Sequence, residues 1–224
     1  MEAPSDNSAF DLDLHYHTDY TRSVQVTIGD DETPFHLLPD TEMNQIIVLR
    51  EGCSGCYSLG DNHKYTPFCE DPRVNTTITT PIQWFYQIHV YETNVTGKHF
   101  QEKVCIPNQG PEDRCGSLMV VSSEKNQPRA LFLRGNGFFG LGVDETVVNG
   151  QSMKMGALDQ LYDAGIITEK KFGIDVKFNN HTEYSADYQP TTIRFGDYDK
   201  SAFDDSHEIM FMDTVSTDSW ELPV

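Results

Sequence analysis

Residues 34–49 have the sequence PFHLLPDTEMNQIIVL, and the fold predicted for the whole chain depends mainly on them. Residues 35–38 and 46–49 are short apolar runs that predict two β-strands, and Asp40-Thr41 comes at the end of the first. A carboxylate at a strand end beside a buried run is a place where an acid with a perturbed pKa can lie. On these residues alone, an aspartate that caps the strand end is the better interpretation.

Other parts of the chain show the same strand-like pattern between turn residues. Residues 23–29 alternate with period two and end at Gly29. Residues 83–91 and 103–106 are predicted to be partner strands that flank a turn at Gly97. Further strands are predicted at 118–121, 130–133, 172–178 and 191–196. Many short strands of this kind favour a mostly-β sandwich or barrel.

A single helix is predicted at residues 157–164, ended by Gly165. Leu158, Leu161 and Tyr162 fall at i, i+3 and i+4, so we expect them to share one face. No repeat, low-complexity tract or linker divides the chain, which predicts one domain over residues 20–224. Residues 1–19 are polar and acidic and are predicted to be a tail or an edge strand.

Composition excludes several classes of partner. The 224 residues include 35 acidic and 16 basic side chains, for a formal net charge of −19. Such a charge repels nucleic acid and anionic membrane surfaces, so we expect neither as a partner. No apolar run approaches the length of a membrane-spanning helix. With 11% aromatic residues the chain is too aromatic for a disordered acidic segment, which predicts a folded domain.

The compartment is indicated by glycosylation signals. The first six residues have neither a basic nor an apolar region, so the sequence shows no signal peptide. Three N-x-[ST] sequons are nevertheless present, at Asn75, Asn94 and Asn180. Together with the cysteines described next, they predict an oxidising compartment: secreted, cell-surface, or an acidic vesicle or lysosome.

Five cysteines lie within 63 residues. A structural disulfide among Cys53, Cys56 and Cys69 is predicted, with its pairing open, and Cys105 and Cys115 are placed to close a small loop. The odd count leaves one thiol free or bridged to another chain.

No cofactor or metal is predicted. Residues 135–140 match G-x-G-x-x-G, but no helix-opening sequence follows, so a tight Gly-rich strand end is the better interpretation. The C-x-x-C of residues 53–56 lacks a second pair at zinc spacing. His15 and His17 form an H-x-H without a carboxylate at fixed ligand spacing, which favours ordinary surface histidines.

The order of the motifs resembles the N-terminal lobe of pepsin-like aspartic proteases (peptidase A1) over residues 20–222. Residues 26–29 and 34–41 resemble the strands that lead into the family's Asp-Thr-Gly loop, residues 91–97 its flap hairpin, and residues 136–142 the segment behind the active-site loop. Residues 158–167 and 191–199 resemble the helix and strand that follow. The resemblance implies a six-stranded psi-type barrel or sandwich with one or two short helices.

The resemblance also implies roles for particular residues. Asp40 is the candidate catalytic aspartate, Thr41 supports its loop, and Tyr91 takes the position of the flap tyrosine that covers bound peptide. Glu42 departs from the family's glycine, and we expect it to strain the loop and to place like charge beside Asp40. Met43 stands at a serine position and Ile47 at the position of the tryptophan that bonds the flap tyrosine.

Three functional hypotheses stay open. Family chemistry needs two aspartates sharing one proton, one from each lobe. The chain can be a non-catalytic glycoprotein that binds peptides or other proteins. It can instead be the first lobe of an active endopeptidase, completed by a separate C-terminal lobe. Finally, two copies can associate so that two Asp40 residues meet; the net charge of −19 makes this harder at neutral pH and easier in an acidic vesicle, where carboxylates protonate. Asp213-Thr214 also lacks the glycine and is interpreted as coincidence.

Overall fold

A computed structural model describes residues 9–16, 22–29, 34–54, 56–58, 77–86, 89–107, 114–127, 131–133, 135–143, 146–148, 151–153, 156–176 and 191–198. For residues 16, 56–58, 77–86, 89–93, 126–127, 131–133, 146–148 and 151–153 it describes the backbone alone.

The described chain is mostly β, as predicted. Its strands are β1 (Phe10–Asp13), β2 (His15–Tyr16), β3 (Arg22–Ile28), β4 (Phe35–Asp40), β5 (Ile46–Ser54), β6 (Cys56–Ser58), β7 (Thr77–Tyr86), β8 (His89–Ile106), β9 (Arg114–Gln127), β10 (Leu131–Leu133), β11 (Gly137–Gly140), β12 (Thr146–Val148), β13 (Gln151–Met153), β14 (Phe172–Asp175) and β15 (Thr192–Phe195). The helix α1 spans Ala157–Asp163. Within the described ranges, no helix has the length and apolar character needed to cross a membrane.

The main sheet closes into a ring of six strands. Its order is β2-β3-β4-β11-β5-β9-β8-β7, and an additional pairing of β3 with β8 joins the third and eighth strands of the chain. The ring β3-β4-β11-β5-β9-β8 confirms the expected six-stranded barrel, with β2 and β7 outside it. β11 lies between β4, to which it is parallel, and β5, to which it is antiparallel. This insertion between two consecutive strands is the psi arrangement.

Apolar side chains pack on both faces of this sheet. The main core gathers alternate residues of the ring with β1, β15 and α1, including Val24, Phe35, Ile46 and Phe139. A second cluster on the opposite face contains Met43, Ile47, Leu49, Val95, Val121 and Phe138. Adjacent residues of one strand therefore serve different cores, as the period of two requires.

The N-terminal segment is part of the packed structure. β1 pairs antiparallel with β15 at the edge of a three-stranded sheet of order β1-β15-β14. Phe10 lies 5.4 Å from Phe195, measured between ring centroids, and Phe10, Leu12 and Leu14 all belong to the main core. Residues 10–14 are thus an edge strand and its continuation.

The turn predicted at Gly97 is wrong. β8 runs without a break from His89 to Ile106, and its antiparallel partner is β7, with Tyr86 opposite His89. Gly97 instead lies at a bulge where β8 meets β9. A Cβ atom there would lie 2.2 Å from the carbonyl oxygen of Ser122, so close approach of two backbones explains this glycine.

The predicted helix is confirmed, but one residue of its predicted face is wrong. Gly165 follows the helix end with φ of 71°, a conformation that favours glycine. Leu158 and Leu161 are buried, whereas Tyr162 is 45% exposed. The buried stripe is centred on residues 157, 158 and 161, and the Tyr162 ring lies 5.3 Å from the Lys170 ammonium at the surface.

Candidate active site

Asp40 ends β4, and its carboxylate is held by the loop that follows. Its Oδ1 atom accepts hydrogen bonds from the backbone N–H groups of Glu42, at 2.8 Å, and Met43, at 3.1 Å. The glutamate at position 42 therefore still presents its backbone N–H to the carboxylate. Thr41 and Glu42 are both exposed.

Burial raises the pKa of Asp40 above its usual range, and the two backbone hydrogen bonds lower it only in part. We expected the Glu42 carboxylate to perturb Asp40 by like charge. That expectation is wrong, because Glu42 is exposed and the shift comes from desolvation of Asp40 itself. The carboxyl group is thus biased towards its protonated form.

The loop crosses directly over the end of β11; we call this contact between residues 40–45 and residues 140–142 the crossing. Leu141 donates its N–H to the Asp40 carbonyl at 2.6 Å, and Gly142 donates to the Met43 carbonyl at 2.6 Å. Gly140 donates to the Gln45 carbonyl at 3.0 Å. These backbone bonds place Asp40 independently of the side chains in the loop.

Gly140 permits this close approach. A Cβ atom on Gly140 would lie 2.4 Å from the Gln45 nitrogen and 2.5 Å from the Asn44 carbonyl carbon, distances that no side chain tolerates. Residues 137–140 form a buried strand, as the interpretation of the G-x-G-x-x-G match as a strand end predicted.

Asn136 fixes the other end of β11 to its neighbours. Its Oδ1 accepts the His36 N–H at 2.7 Å, and its own N–H donates to the His36 carbonyl at 2.7 Å. Its carbonyl accepts the Leu49 N–H, also at 2.7 Å. The sequence placed Asn136 in a motif, but no sequence signal indicated this double bond to His36.

The helix supports the loop from the other side. Ala157 donates its N–H to the Asn44 carbonyl at 2.9 Å, and Gln45 pairs with Gly156 in an isolated bridge. The Gln160 amide brackets Met119 of β9, accepting its N–H and donating to its carbonyl. Gln160 was not predicted, since a buried glutamine in a short helix carries no distinguishing pattern.

Beneath the loop, five directly paired residues form a row across five strands, which we call the apolar row. Its members, in spatial order, are His99, Val121, Ile47, Phe138 and Leu38. Met43, only 5% exposed, packs with Ile47, Val121 and Phe138. The positions where the resemblance implied serine and tryptophan therefore carry apolar side chains that belong to a buried cluster.

His99 is the polar exception in this row. It is 5% exposed, and its Nδ1 has no hydrogen-bond partner among the described residues. Burial lowers the pKa of His99.

The remaining predicted residues are placed as follows. The assignment of a flap hairpin to residues 91–97 is wrong, because these residues run within β8 and are paired with β7. Tyr91 lies on β8 opposite Trp84, and its side chain is outside the described residues. Asn94 is exposed on β8. Asn75 and Asn180 lie outside the described residues. Across the described ranges, no three His, Cys, Asp or Glu side chains are grouped to hold a metal ion.

The predicted small loop between Cys105 and Cys115 is confirmed. The two residues form a disulfide and face each other on β8 and β9. Cys53 is also disulfide-bonded, to a residue outside the described side chains. Cys53 is thus part of a disulfide as predicted, and the pairing among Cys53, Cys56 and Cys69 stays open.

The comparisons with known proteins agree with this geometry. A family model for eukaryotic aspartyl protease matches residues 20–224. The chain belongs to the eukaryotic aspartyl protease family. Among solved structures, it is similar to an aspartic proteinase from Irpex lacteus, with a TM-score of 0.53 and 16% sequence identity. No curated protein matches the chain.

The likeness to the Irpex lacteus enzyme concerns the fold. It covers 86% of this chain but 49% of that enzyme, so the chain spans about half the length of that relative. The chain has about the length of one lobe and carries one candidate aspartate at the crossing. Both features agree with the resemblance to a pepsin-like lobe that the sequence showed.

Proposed function

We propose that this chain by itself is a non-proteolytic lobe that binds a peptide or another protein. One observation carries the proposal: the hydrogen bonds to the Asp40 carboxylate come from the backbone of its own loop. In the described part of the chain, no second carboxyl group lies within hydrogen-bond distance of it. A lone carboxyl can hold or polarise a ligand, but it does not supply both groups that water attack requires.

The chemistry explains this requirement. In a two-aspartate site, one ionised carboxylate activates water while its protonated mate polarises the peptide carbonyl. Partial burial raises the pKa of Asp40, which favours the protonated form relative to a free aspartate. Asp40 can fill one of these two roles, and the second carboxyl group has to come from elsewhere.

Two features support an oxidising compartment for this lobe. The Cys105–Cys115 disulfide is typical of proteins outside the reducing cytosol. Asn94 is exposed within its sequon, so a glycan there has room without disturbing the core. We propose a glycoprotein that is secreted, at the cell surface, or in an acidic vesicle. A glycan at Asn94, three residues after Tyr91, would hinder peptide entry past this part of β8.

The test is incubation in acid with a broad peptide library, followed by mass spectrometry. Wild type and Asp40→Asn should both leave the library intact, and both should retain the same subset of peptides on a column. Cleavage by wild type that a pepstatin-type inhibitor blocks, and that Asp40→Asn lacks, would overturn the proposal.

A second function is favoured by the intact geometry around Asp40. The loop still aims two backbone N–H groups at the carboxylate and still rests on the crossing, as a working site requires. The chain would then be the first lobe of an endopeptidase, completed by a lobe with its own Asp-Thr-Gly or Asp-Ser-Gly. Material from the native source should copurify with such a chain, and the mixture should cleave peptides. Purified chain that cleaves peptides as a sedimenting dimer would instead support pairing of two Asp40 loops.

A further inference from the structure

The fold brings together two histidines that are far apart in sequence. His15 lies on β2 and His36 on β4, with β3 between them. Their ring centroids are 4.5 Å apart, and the ring planes are tilted by 42°. His15 pairs directly with Ser23 of β3, and the Ser23 hydroxyl lies 3.3 Å from Nδ1 of His36. Both imidazoles and the hydroxyl therefore occupy one small area of the barrel wall.

We propose that His15 and His36 form a binding site for a borderline transition-metal ion such as Zn²⁺, with solvent completing the coordination. A tetrahedral ion about 2.1 Å from one nitrogen of each ring would hold the two ring centroids roughly 5 Å apart. The observed separation of 4.5 Å is close to that distance. Neutral imidazole is a preferred ligand for such ions.

The surroundings of His36 resemble those of a prepared ligand. Ser23 is fully buried, and its contact with Nδ1 makes Nε2 the nitrogen through which His36 would bind metal. Metal-bound histidines commonly use the other ring nitrogen in this way, which sets the tautomer and ring orientation. The His36 backbone is held at both its N–H and its carbonyl by Asn136, at 2.7 Å each.

Accessibility and charge also favour a cation. His15 is exposed, so an ion can reach the pair from solvent. The formal charge of −19 raises the concentration of divalent cations near the surface. The site is independent of Asp40, since it requires neither the loop nor a second lobe.

Calorimetric titration of the full chain, without a polyhistidine tag, with Zn²⁺ tests the site. We expect one binding event that weakens about tenfold or more in His15→Ala and in His36→Ala, and about tenfold in Ser23→Ala, where both ligands remain. His17→Ala is the matched control and should bind as wild type does.

Two results would overturn the proposal. One is unchanged Zn²⁺ affinity in both His15→Ala and His36→Ala. The other is loss of binding in His17→Ala with normal binding in His36→Ala, which would assign the ion to the local H-x-H motif. Circular dichroism checks that each variant is folded. If His36→Ala does not fold, the exposed His15→Ala alone decides, together with histidine-ring NMR of wild type, in which the His15 and His36 signals should both shift with Zn²⁺.

Discussion

The crossing and the apolar row both contact the same loop, and they position it by different means. At the crossing, residues 140–142 touch residues 40–45 through backbone atoms, with bonds of 2.6 to 3.0 Å. At the apolar row, the loop residue Met43 is held by side-chain packing with Ile47 and the other buried residues of the same cluster.

This difference explains how the lobe keeps its fold while its site has changed. Backbone contacts depend on where the chain can go, so a glutamate at position 42 leaves the bond to Asp40 in place. Packing depends on volume and polarity, so methionine and isoleucine make their positions part of a buried apolar cluster. The scaffold and the chemistry of this loop can therefore vary separately.

The largest expected effect is at the crossing. Gly140→Ala should destabilise the protein by about 4 kcal/mol or more, because its Cβ would lie 2.4 Å from backbone that cannot move away. Urea unfolding measures the loss, or the yield of folded protein where the loss is complete. Gly173→Ala is the matched control, since the nearest atoms to a Cβ there lie 3.7 Å away. Equal unfolding midpoints for both variants would show that the crossing does not constrain the loop.

The next effect is in the apolar row. Ile47→Ala removes a fully buried side chain and should cost roughly 3 kcal/mol, because the packed neighbours leave a cavity. Ile174→Ala makes the same chemical change at a residue that is 42% exposed and should cost much less. Similar losses in both variants, measured by urea unfolding, would mean that the row is loosely packed.

The sequence predicted the strands that lead to Asp40 because their cause is local. Residues 23–29, 35–38 and 46–49 carry alternating or continuous apolar patterns that match β3, β4 and β5. Gly97 misled the prediction because a glycine marks either a turn or a close approach, and only the partner strand distinguishes them. The prediction that Tyr162 shares the face of Leu158 and Leu161 was wrong because helical spacing alone does not locate the centre of the buried stripe.

Only the parts of the site that belong to the family's sequence pattern could be predicted from the sequence. Asp40 and its loop follow from the resemblance. The roles of Asn136 and Gln160 do not, since each bonds a backbone group distant in sequence. The contact of His15 with His36 depends on the register of three strands, which no spacing in the sequence encodes. That burial rather than Glu42 controls Asp40 likewise required the side-chain positions.

Ionisation of Asp40, at the crossing, should make the stability of the protein depend on pH. We expect this effect to be smaller than the losses in Gly140→Ala and Ile47→Ala. Because its pKa is raised in the folded state, its contribution to stability is complete below the ordinary aspartate value and is lost as the pH rises through the folded pKa. Asp40→Asn cannot ionise, so its stability relative to wild type should increase from acid towards neutral pH. Urea unfolding of both proteins across that range measures the difference, and a difference that stays constant with pH contradicts the assignment.

Protonation of His99, in the apolar row, should make the stability of the protein depend on pH with the opposite sign. We expect this effect to be the smallest of the four. Its pKa is lowered by burial, so its contribution is complete above the ordinary histidine value of about 6.5 and is lost as the pH falls through the folded pKa. His99→Leu removes the proton-binding group but keeps an apolar filling next to Val121. Wild type should therefore lose stability relative to His99→Leu on acidification, in the same experiment in which Asp40→Asn loses its advantage over wild type. If the stability of both variants relative to wild type changed in the same direction with pH, one of the two groups would not be in the environment described. The different behaviour of the crossing and the apolar row would then not hold for that residue.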